Sequence, residues 1–418
     1  MVGASIIVLL VLVAFTISLV VYPFTLKFAV KHELYDNPNM RKLQRRPVPA
    51  MGGVTVYIGV LIASVIAFWI FKDIRFVWVL SLLFIMLVIG VWDDIKSVSP
   101  YLRFGMEAVL VWSIILLMHV EIDDFHGLWG IYKISEELSV FISLIAGIGI
   151  INAINLIDGV DGYCSLFSIM AFSVFGAVFF KSGDAAMGTI CFIAVGALIP
   201  FFIHNVFGWT SKMFLGDGGS LVMGTLLTIC LFSMLSCRSQ CVQLDWSGIS
   251  LVALSLAIFA VPVVDTLRVM IARVMKYKSP FMPDKTHFHH LFVDMMFSHA
   301  GTSIIIVTGN FLIVLFELLL WKCGVSVDWQ VYLVAAVSIL YTCVFYYVMV
   351  AEGRKNDGKG SRLYGWFCRM GQKTHLNKTL FWASMRMISD HLLLGENYLK
   401  VADYVRSSKK RRPDPRIR

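Results

Sequence analysis

FVWVLSLLFIMLVIGVWDD, residues 76–94, is an apolar run long enough to cross a bilayer, and it stops on two adjacent carboxylates, Asp93 and Asp94. Roughly 20 residues of helix span a hydrocarbon core. Runs of this kind recur from Ala4 almost to Val350, which leaves no room for a large water-soluble domain before Ala351. The 418 residues are 58% hydrophobic and only 15% charged, with a mean hydropathy of +0.78. Such a chain has lipid as its natural solvent. The first run, Ala4–Val21, has no charged segment before it and no small-residue cleavage site after it, and is expected to be a retained helix.

Apolar windows between polar breaks predict helices near 4–26, 52–71, 76–92, 104–120, 138–155, 164–180, 186–204, 218–235, 248–270, 302–321 and 329–350. With the N-terminus outside, the inner loops hold 14 Lys and Arg, the outer loops 6, and the segment after Val350 another 16 of the 36. The excess of positive charge on inner loops therefore predicts an outside N-terminus and an inside C-terminus. The formal net charge of +9 is a topology signal here and not a nucleic-acid signal. The expected fold is an all-α integral membrane protein of about eleven transmembrane helices. A polytopic membrane domain is expected over 1–350 and a basic cytoplasmic tail over 351–418. The outer segment IDDFHGLWGIYKI, residues 122–134, reads as an interfacial hairpin. Its acids Asp123 and Asp124, with Glu136 and Glu137, read as a solvated face. Of the eight cysteines, only Cys237 and Cys241 share a short polar loop where a disulfide is conceivable.

In this topology the chemistry-bearing residues all fall at inner helix ends or in inner loops. Alone, Asp93-Asp94 reads more simply as a wet helix terminus, since paired carboxylates at a bilayer edge need water, a cation or hydrogen bonds. NAINLIDGVDG, residues 152–162, is harder to dismiss as helix filler. Asn155 and Asp158 are three apart on a closing helix, and Gly159 and Gly162 let the chain turn so that Asp161 converges on the same place. A capped helix end with an Asx-turn is the structural alternative. In KMFLGDGGS, residues 212–220, Asp217 sits among glycines at the start of an apolar helix, where a phosphate could lie beside a carboxylate-held cation. It is not a Walker motif. Hard Asp and Asn oxygens suit Mg²⁺ or Mn²⁺ shared with substrate phosphates. PDKTHFHHL, residues 283–291, supplies His287, His289 and His290. Zinc is the rival there, but no cysteine accompanies the histidines and adjacent imidazoles suit one ion poorly. Phosphate or sugar contacts are preferred.

The ordered motifs DNPNMRK with PVPAMGG, GVWDD, NAINLIDGVDG, His204-Asn205 ahead of KMFLGDGGS, and HFHH over residues 1–350 resemble the polyprenyl-phosphate N-acetylhexosamine-1-phosphate transferase superfamily, of glycosyltransferase family 4 type. DNPNMRK and the interrupted histidine run look more like the undecaprenyl-phosphate GlcNAc-1-phosphate branch than the phospho-MurNAc-pentapeptide transferases. Gln44, Gly218 and Glu107 depart from that branch, which commonly has histidine, threonine and a nearby glutamine.

Several roles are implied by the resemblance alone. Asp217, with Asn155, would hold Mg²⁺ (or Mn²⁺), and Asp93 would activate or orient the acceptor phosphate. Asp94, Asn155, Asp158 and Asp161 would shape the nucleotide and metal pocket. Asn205, Lys212, His287, His289 and His290 would bind substrate, the histidines at the donor diphosphate. The implied partners are a UDP-sugar, a polyprenyl phosphate and membrane lipids, at the cytoplasmic face of a bacterial inner membrane. No nucleic acid is expected, and a homodimer is left open. An ion-coupled transporter is the rival of another class, but its carboxylates would lie near the bilayer midplane, often in related halves. The tail carries 16 basic residues against 6 acids, and its stretch 379–405 reads as an interfacial amphipathic helix. Since the motifs end by His290, the tail is expected to be dispensable for the reaction.

Overall fold

The chain's apolar runs fold as helices that cross back and forth, and the computed structural model describes residues 4–36, 47–96, 98–280, 285–355, 360–375 and 380–392. The spanning helices are α1 Ala4–Lys31, α2 Gly52–Phe71, α3 Arg75–Lys96, α4 Pro100–Met118, α5 Glu136–Leu156, α6 Tyr163–Ser182, α7 Ala185–Phe207 and α8 Gly216–Leu235. A shorter pair follows, α9 Leu251–Ile258 and α10 Ala260–Val274, then α11 Phe288–Asp294, α12 His299–Lys322 and α13 Val327–Ile339. A wide turn at Leu340–Val344 carries α13 into α14, Phe345–Gly353, and α15 Arg362–Lys373 and α16 Leu380–Met387 end the described chain. Among the described residues ten helices are long and apolar enough to cross a membrane, or eleven if the pair α9 and α10 counts as one span.

Local sequence sets the helix ends. Ser99, Ser135, Asp184 and Ser298 each accept a backbone N–H of the first turn of α4, α5, α7 and α12. The span expected over 248–270 is instead broken by 71° between α9 and α10. Pro262 lies just past the break, and a proline supplies no N–H to the preceding turn. The side chain of Asn310 on α12 takes up the freed groups, donating to the carbonyls of Ala257 (3.1 Å) and Ile258 (3.0 Å) and accepting the Val261 N–H (2.9 Å). This is how an apolar environment tolerates a broken helix.

α8 is the centre. Every residue of its apolar window is buried, with α3 and α5 against it and α2 alongside. α3 and α8 come close enough that a Cβ at Gly90 would meet Gly218 Cα at 2.5 Å, and one at Gly218 would meet Val91 Cγ2 at 2.9 Å. That contact gives a physical reason for glycine at 218, where the family resemblance leads one to expect threonine.

At the end of the bundle away from the sequence motifs, residues 122–134 form the expected hairpin, with Asp124 bridged antiparallel to Lys133. Asp123 and Asp124 are buried, correcting the expectation of a solvated face, whereas Glu136 and Glu137 are exposed. Asp123 accepts from the Cys237 backbone N–H (2.7 Å) and thiol (2.9 Å). Cys237 and Cys241 are free thiols. Burial and the adjacent Asp123 carboxylate push the Cys237 thiol up to about 11.

The described parts of the tail lie on the membrane domain. Gly371 of α15 packs on the backbone of Met295 and Met296, and the Thr374 hydroxyl accepts the Ser298 N–H (2.9 Å). The stretches 37–46 and 281–284, and most of the amphipathic stretch expected at 379–405, lie outside the described residues.

Candidate active site

Two short segments bring distant motifs to one end of the bundle. Residues 35–36 pair antiparallel with 48–49, and 49–53 run beside 214–215 through Phe214 N–H to Pro49 O (2.8 Å), Gly52 N–H to Phe214 O (2.9 Å) and Gly53 N–H to Leu215 O (2.9 Å). PVPAMGG thereby fixes the approach to GDGGS. Gly216 has φ +75°, a left-handed conformation that glycine adopts without strain. The turn aims the first amides of α8 at Asp94, whose carboxylate accepts the Asp217 N–H (2.9 Å) and the Gly218 N–H (3.1 Å). A carboxylate from α3 thus sits at the positive end of the most buried helix.

Asn155, near the end of α5, donates from its amide nitrogen to Asp217 Oδ1 (2.7 Å) and to Ser220 Oγ (2.9 Å). In this arrangement Asn155 holds Asp217 in place through its donor group. α5 stops at Leu156, so Asp158 and Asp161 lie in the turn that follows and not on the helix. Burial raises the pKa of Asp158, and Asp217 and Asp94 raise it further. Asp161 goes the other way: burial opposes ionisation, but the Lys212 ammonium at 2.5 Å and His299 at 2.9 Å hold it down to about 2. Asn205 staples the turn to the next motif, accepting the Gly162 N–H (2.7 Å) and donating to the Met213 carbonyl (2.9 Å).

The histidine loop closes over this turn. A Cβ at Gly159 would meet the His289 ring at 3.1 Å, so a larger residue there would push on the imidazole. Burial lowers the pKa of His289 and the neighbouring His290 and His287 add to it, leaving a neutral ring at neutral pH. His287 Nδ1 lies 3.0 Å from Asp265 on α10, and the same carboxylate accepts the Phe288 N–H (3.0 Å) and an Arg268 N–H (2.5 Å). Arg268 also donates to the Thr286 carbonyl (2.6 Å) and lies over the Tyr346 ring at 3.7 Å. Asp265 and Arg268 brace the loop and were not singled out from the sequence. The available signal was an acid inside an apolar stretch with an arginine three residues on.

Asp93 accepts the Val98 N–H (2.7 Å) and lies 3.3 Å from the Arg103 guanidinium. Arg103 donates to Asn152 (3.1 Å) and faces Glu107 at 3.5 Å, while Asn152 donates to Glu107. Arg103 and His299 are further residues that the motifs did not reveal. Both come from ordinary helix starts with no local signature.

All eleven candidate residues, Asp93, Asp94, Asn155, Asp158, Asp161, Asn205, Lys212, Asp217, His287, His289 and His290, line one cavity of about 2730 Å³. The cavity's charges suit a divalent cation: Asp217 and Asp94 disfavour ionisation of Asp158, a repulsion that a cation would relieve. The donors are hard oxygens. Mg²⁺ is commonly bound by one or two carboxylates with substrate phosphates and water, and these residues fit such an ion. The histidine loop is no zinc set by spacing. Among the described residues, the His and Asp side chains close enough to share one ion are Asp124, His126 and Asp245, at the other end.

The glycosyl transferase family 4 model matches residues 76–235. The chain is 31% identical over 264 residues to the undecaprenyl-phosphate alpha-N-acetylglucosaminyl 1-phosphate transferase of Haemophilus influenzae, covering 62% of this chain and 72% of that protein. It is 32% identical over 272 residues to the transferase of the same name from Pasteurella multocida (64% and 73%), and 27% over 287 residues to that of Escherichia coli (68% and 75%). Residues 76–235 include the helix ends that carry Asp93, Asp94, Asn155 and Asp217, and likeness at this level over more than two thirds of its relatives places the chain in glycosyl transferase family 4.

Proposed function

We propose that the chain transfers N-acetylglucosamine-1-phosphate from UDP-N-acetylglucosamine to undecaprenyl phosphate, releasing UMP and starting a lipid-linked envelope glycan. The observation that carries this reading is the cavity's change of character. Carboxylates and histidines line one part, and Ile142 and Ile145 of α5, Leu256 of α9, Val263 and Leu267 of α10 and Ile339 of α13 line another. A charged diphosphate and a polyprenyl chain ask for these two surfaces side by side.

In the reaction an acceptor phosphate oxygen bonds to the phosphorus that carries the sugar. The bond from that phosphorus to the bridging oxygen breaks, and UMP leaves with that oxygen. A monophosphate has its second pKa near 6 and is largely dianionic at neutral pH, so Asp93 serves to orient the acceptor beside Arg103 more than to remove a proton. His287, His289 and His290 contact the donor diphosphate, with Asp265 holding the loop. Lys212, fixed by Asp161, faces the nucleotide side. Bound at Asp217, Mg²⁺ would neutralise charge developing on the diphosphate. We favour a single displacement, in which the acceptor phosphate attacks directly and no phospho-aspartyl intermediate forms. The site then faces the cytoplasm across a bacterial inner membrane, where nucleotide sugars are found.

Purified protein incubated with undecaprenyl phosphate, Mg²⁺ and a panel of UDP-N-acetylhexosamines should release UMP fastest with UDP-N-acetylglucosamine. UMP release only with UDP-MurNAc-pentapeptide, or with no donor at all, would overturn the proposal. EDTA should stop the reaction and Mg²⁺ or Mn²⁺ restore it; rescue by Zn²⁺ alone would revive a histidine-bound zinc.

A further inference from the structure

We propose that Asp390, in the C-terminal segment, is a positioning residue for the loop that presents Lys212, so that the tail completes the donor site. This rests on the reading of Lys212 as a donor-binding residue. Residues 208–211 join α7 to Lys212, and their backbone is gathered around the Asp390 carboxylate. Asp390 accepts the N–H groups of Trp209 (3.1 Å), Thr210 (3.2 Å) and Ser211 (3.0 Å), and the Ser211 hydroxyl (2.8 Å). Ser389 Oγ lies 2.9 Å from Ser211 Oγ and 3.1 Å from His204 Nδ1. His204 stacks on Tyr22 of α1 at 3.9 Å, and the Tyr22 hydroxyl donates to the Ser211 carbonyl (2.7 Å).

Tyr22, His204, Ser211 and Ser389 are buried, and Asp390 is only 4% exposed. A carboxylate so placed needs all of its donors, and the donors need it. Without it, the buried Thr210 and Ser211 N–H groups lose the acceptor on which they converge. The loop conformation is therefore tied to residue 390. The next residue is Lys212, whose ammonium reaches Asp161. Arg386, one turn before Asp390, lies 5.1 Å over the Trp209 ring and joins Thr374 and His375 on the cavity wall. Small displacements of a binding group carry large kinetic effects. The tail expected to be dispensable thus supplies a buried wedge behind the site.

The test uses the full-length chain, with Asp390→Ala and Asp390→Asn each made alone and combined with Lys212→Ala, and follows UMP release against both substrates. Asp390→Ala should lower kcat/KM by about 10- to 100-fold, chiefly through a higher KM for UDP-N-acetylglucosamine, with KM for undecaprenyl phosphate within about twofold. Asp390→Asn, whose amide oxygen can still accept the N–H groups that meet on Oδ1 but carries no charge, should lose less, about three- to tenfold. Asp390→Glu, which keeps the carboxylate, should recover part of the loss. On the Lys212→Ala background, Asp390→Ala should add less than about threefold. Full additivity, or an equal loss toward both substrates, would mean a merely structural role and would overturn the proposal. If Asp390→Ala does not accumulate in the membrane, Asp390→Asn and Ser389→Ala carry the test, and an unchanged donor KM in them overturns it. Normal turnover by Lys212→Ala would remove the underlying site reading as well. An impaired Lys212→Ala beside an unimpaired Asp390→Ala would remove this proposal alone.

Discussion

The two ends of the bundle both gather acids, yet they use them differently. At the end away from the motifs Asp184, Asp123 and Asp124 each have a fixed local partner. Asp184 caps α7 and meets the Arg75 guanidinium at 2.6 and 3.0 Å; Asp123 holds Cys237; Asp124 accepts the His126 N–H, and Asp245 faces the His126 ring at 3.0 Å. At the motif end, Asp93, Asp94, Asp158, Asp161 and Asp217 stand around one cavity and act on one another's charge. The first arrangement cancels charge within the fold. The second leaves charge facing a space that a cation and a phosphorylated substrate would fill. Burial and acidity alone do not separate a staple from a site; what the carboxylate faces does.

Asp217 marks the sharpest difference between the two ends. Asp217→Asn should lower turnover by at least about 10³-fold while the protein elutes and melts like the parent, since it removes a charge facing the cavity and not a packing group. Near-normal UMP release in Mg²⁺ would place Asp217 among the staples. Asp265→Asn comes next. It weakens the hold on His287 and on the Phe288 amide, and a loss of about 10- to 100-fold is expected, read as kcat and donor KM in steady-state assays. An undisturbed rate would mean that the histidine loop keeps its place without α10.

Asp93→Asn should slow the reaction by about tenfold with donor affinity unchanged within a factor of a few, as measured by calorimetry. Lost donor binding would move Asp93 into the nucleotide pocket. The smallest effect on chemistry belongs to the opposite end. Arg75→Ala strands the buried Asp184 carboxylate and should lower the melting temperature by several degrees, yet activity per folded molecule should stay within about twofold. A larger catalytic loss there would mean that the two ends are coupled through the bundle.

The spans were legible because hydropathy is a local property: the window at 76–92 lies within α3, and that at 218–235 within α8. The motifs NAINLIDGVDG and KMFLGDGGS were legible because carboxylates among glycines at the end of an apolar helix are costly to keep without a use. The bend between α9 and α10 was not, since proline alone does not say how far a helix turns; Asn310, from another helix, takes up the freed groups on both sides of the break. Asp265 was hidden inside a window read as one span. Asp390 was hidden among the basic residues of a tail, where an acid ordinarily means solvent.

The sequence by itself determined that the chain is built of apolar, bilayer-length helices and that its candidate residues fall at one set of helix ends, because alternating spans sort loops by parity. Tertiary structure alone decided which groups each acid meets. Asp161 and Lys212 are 51 residues apart and Asp390 and Ser211 179 apart. A carboxylate's ionisation and orientation depend on the groups within a few ångströms of it, whatever their distance along the chain.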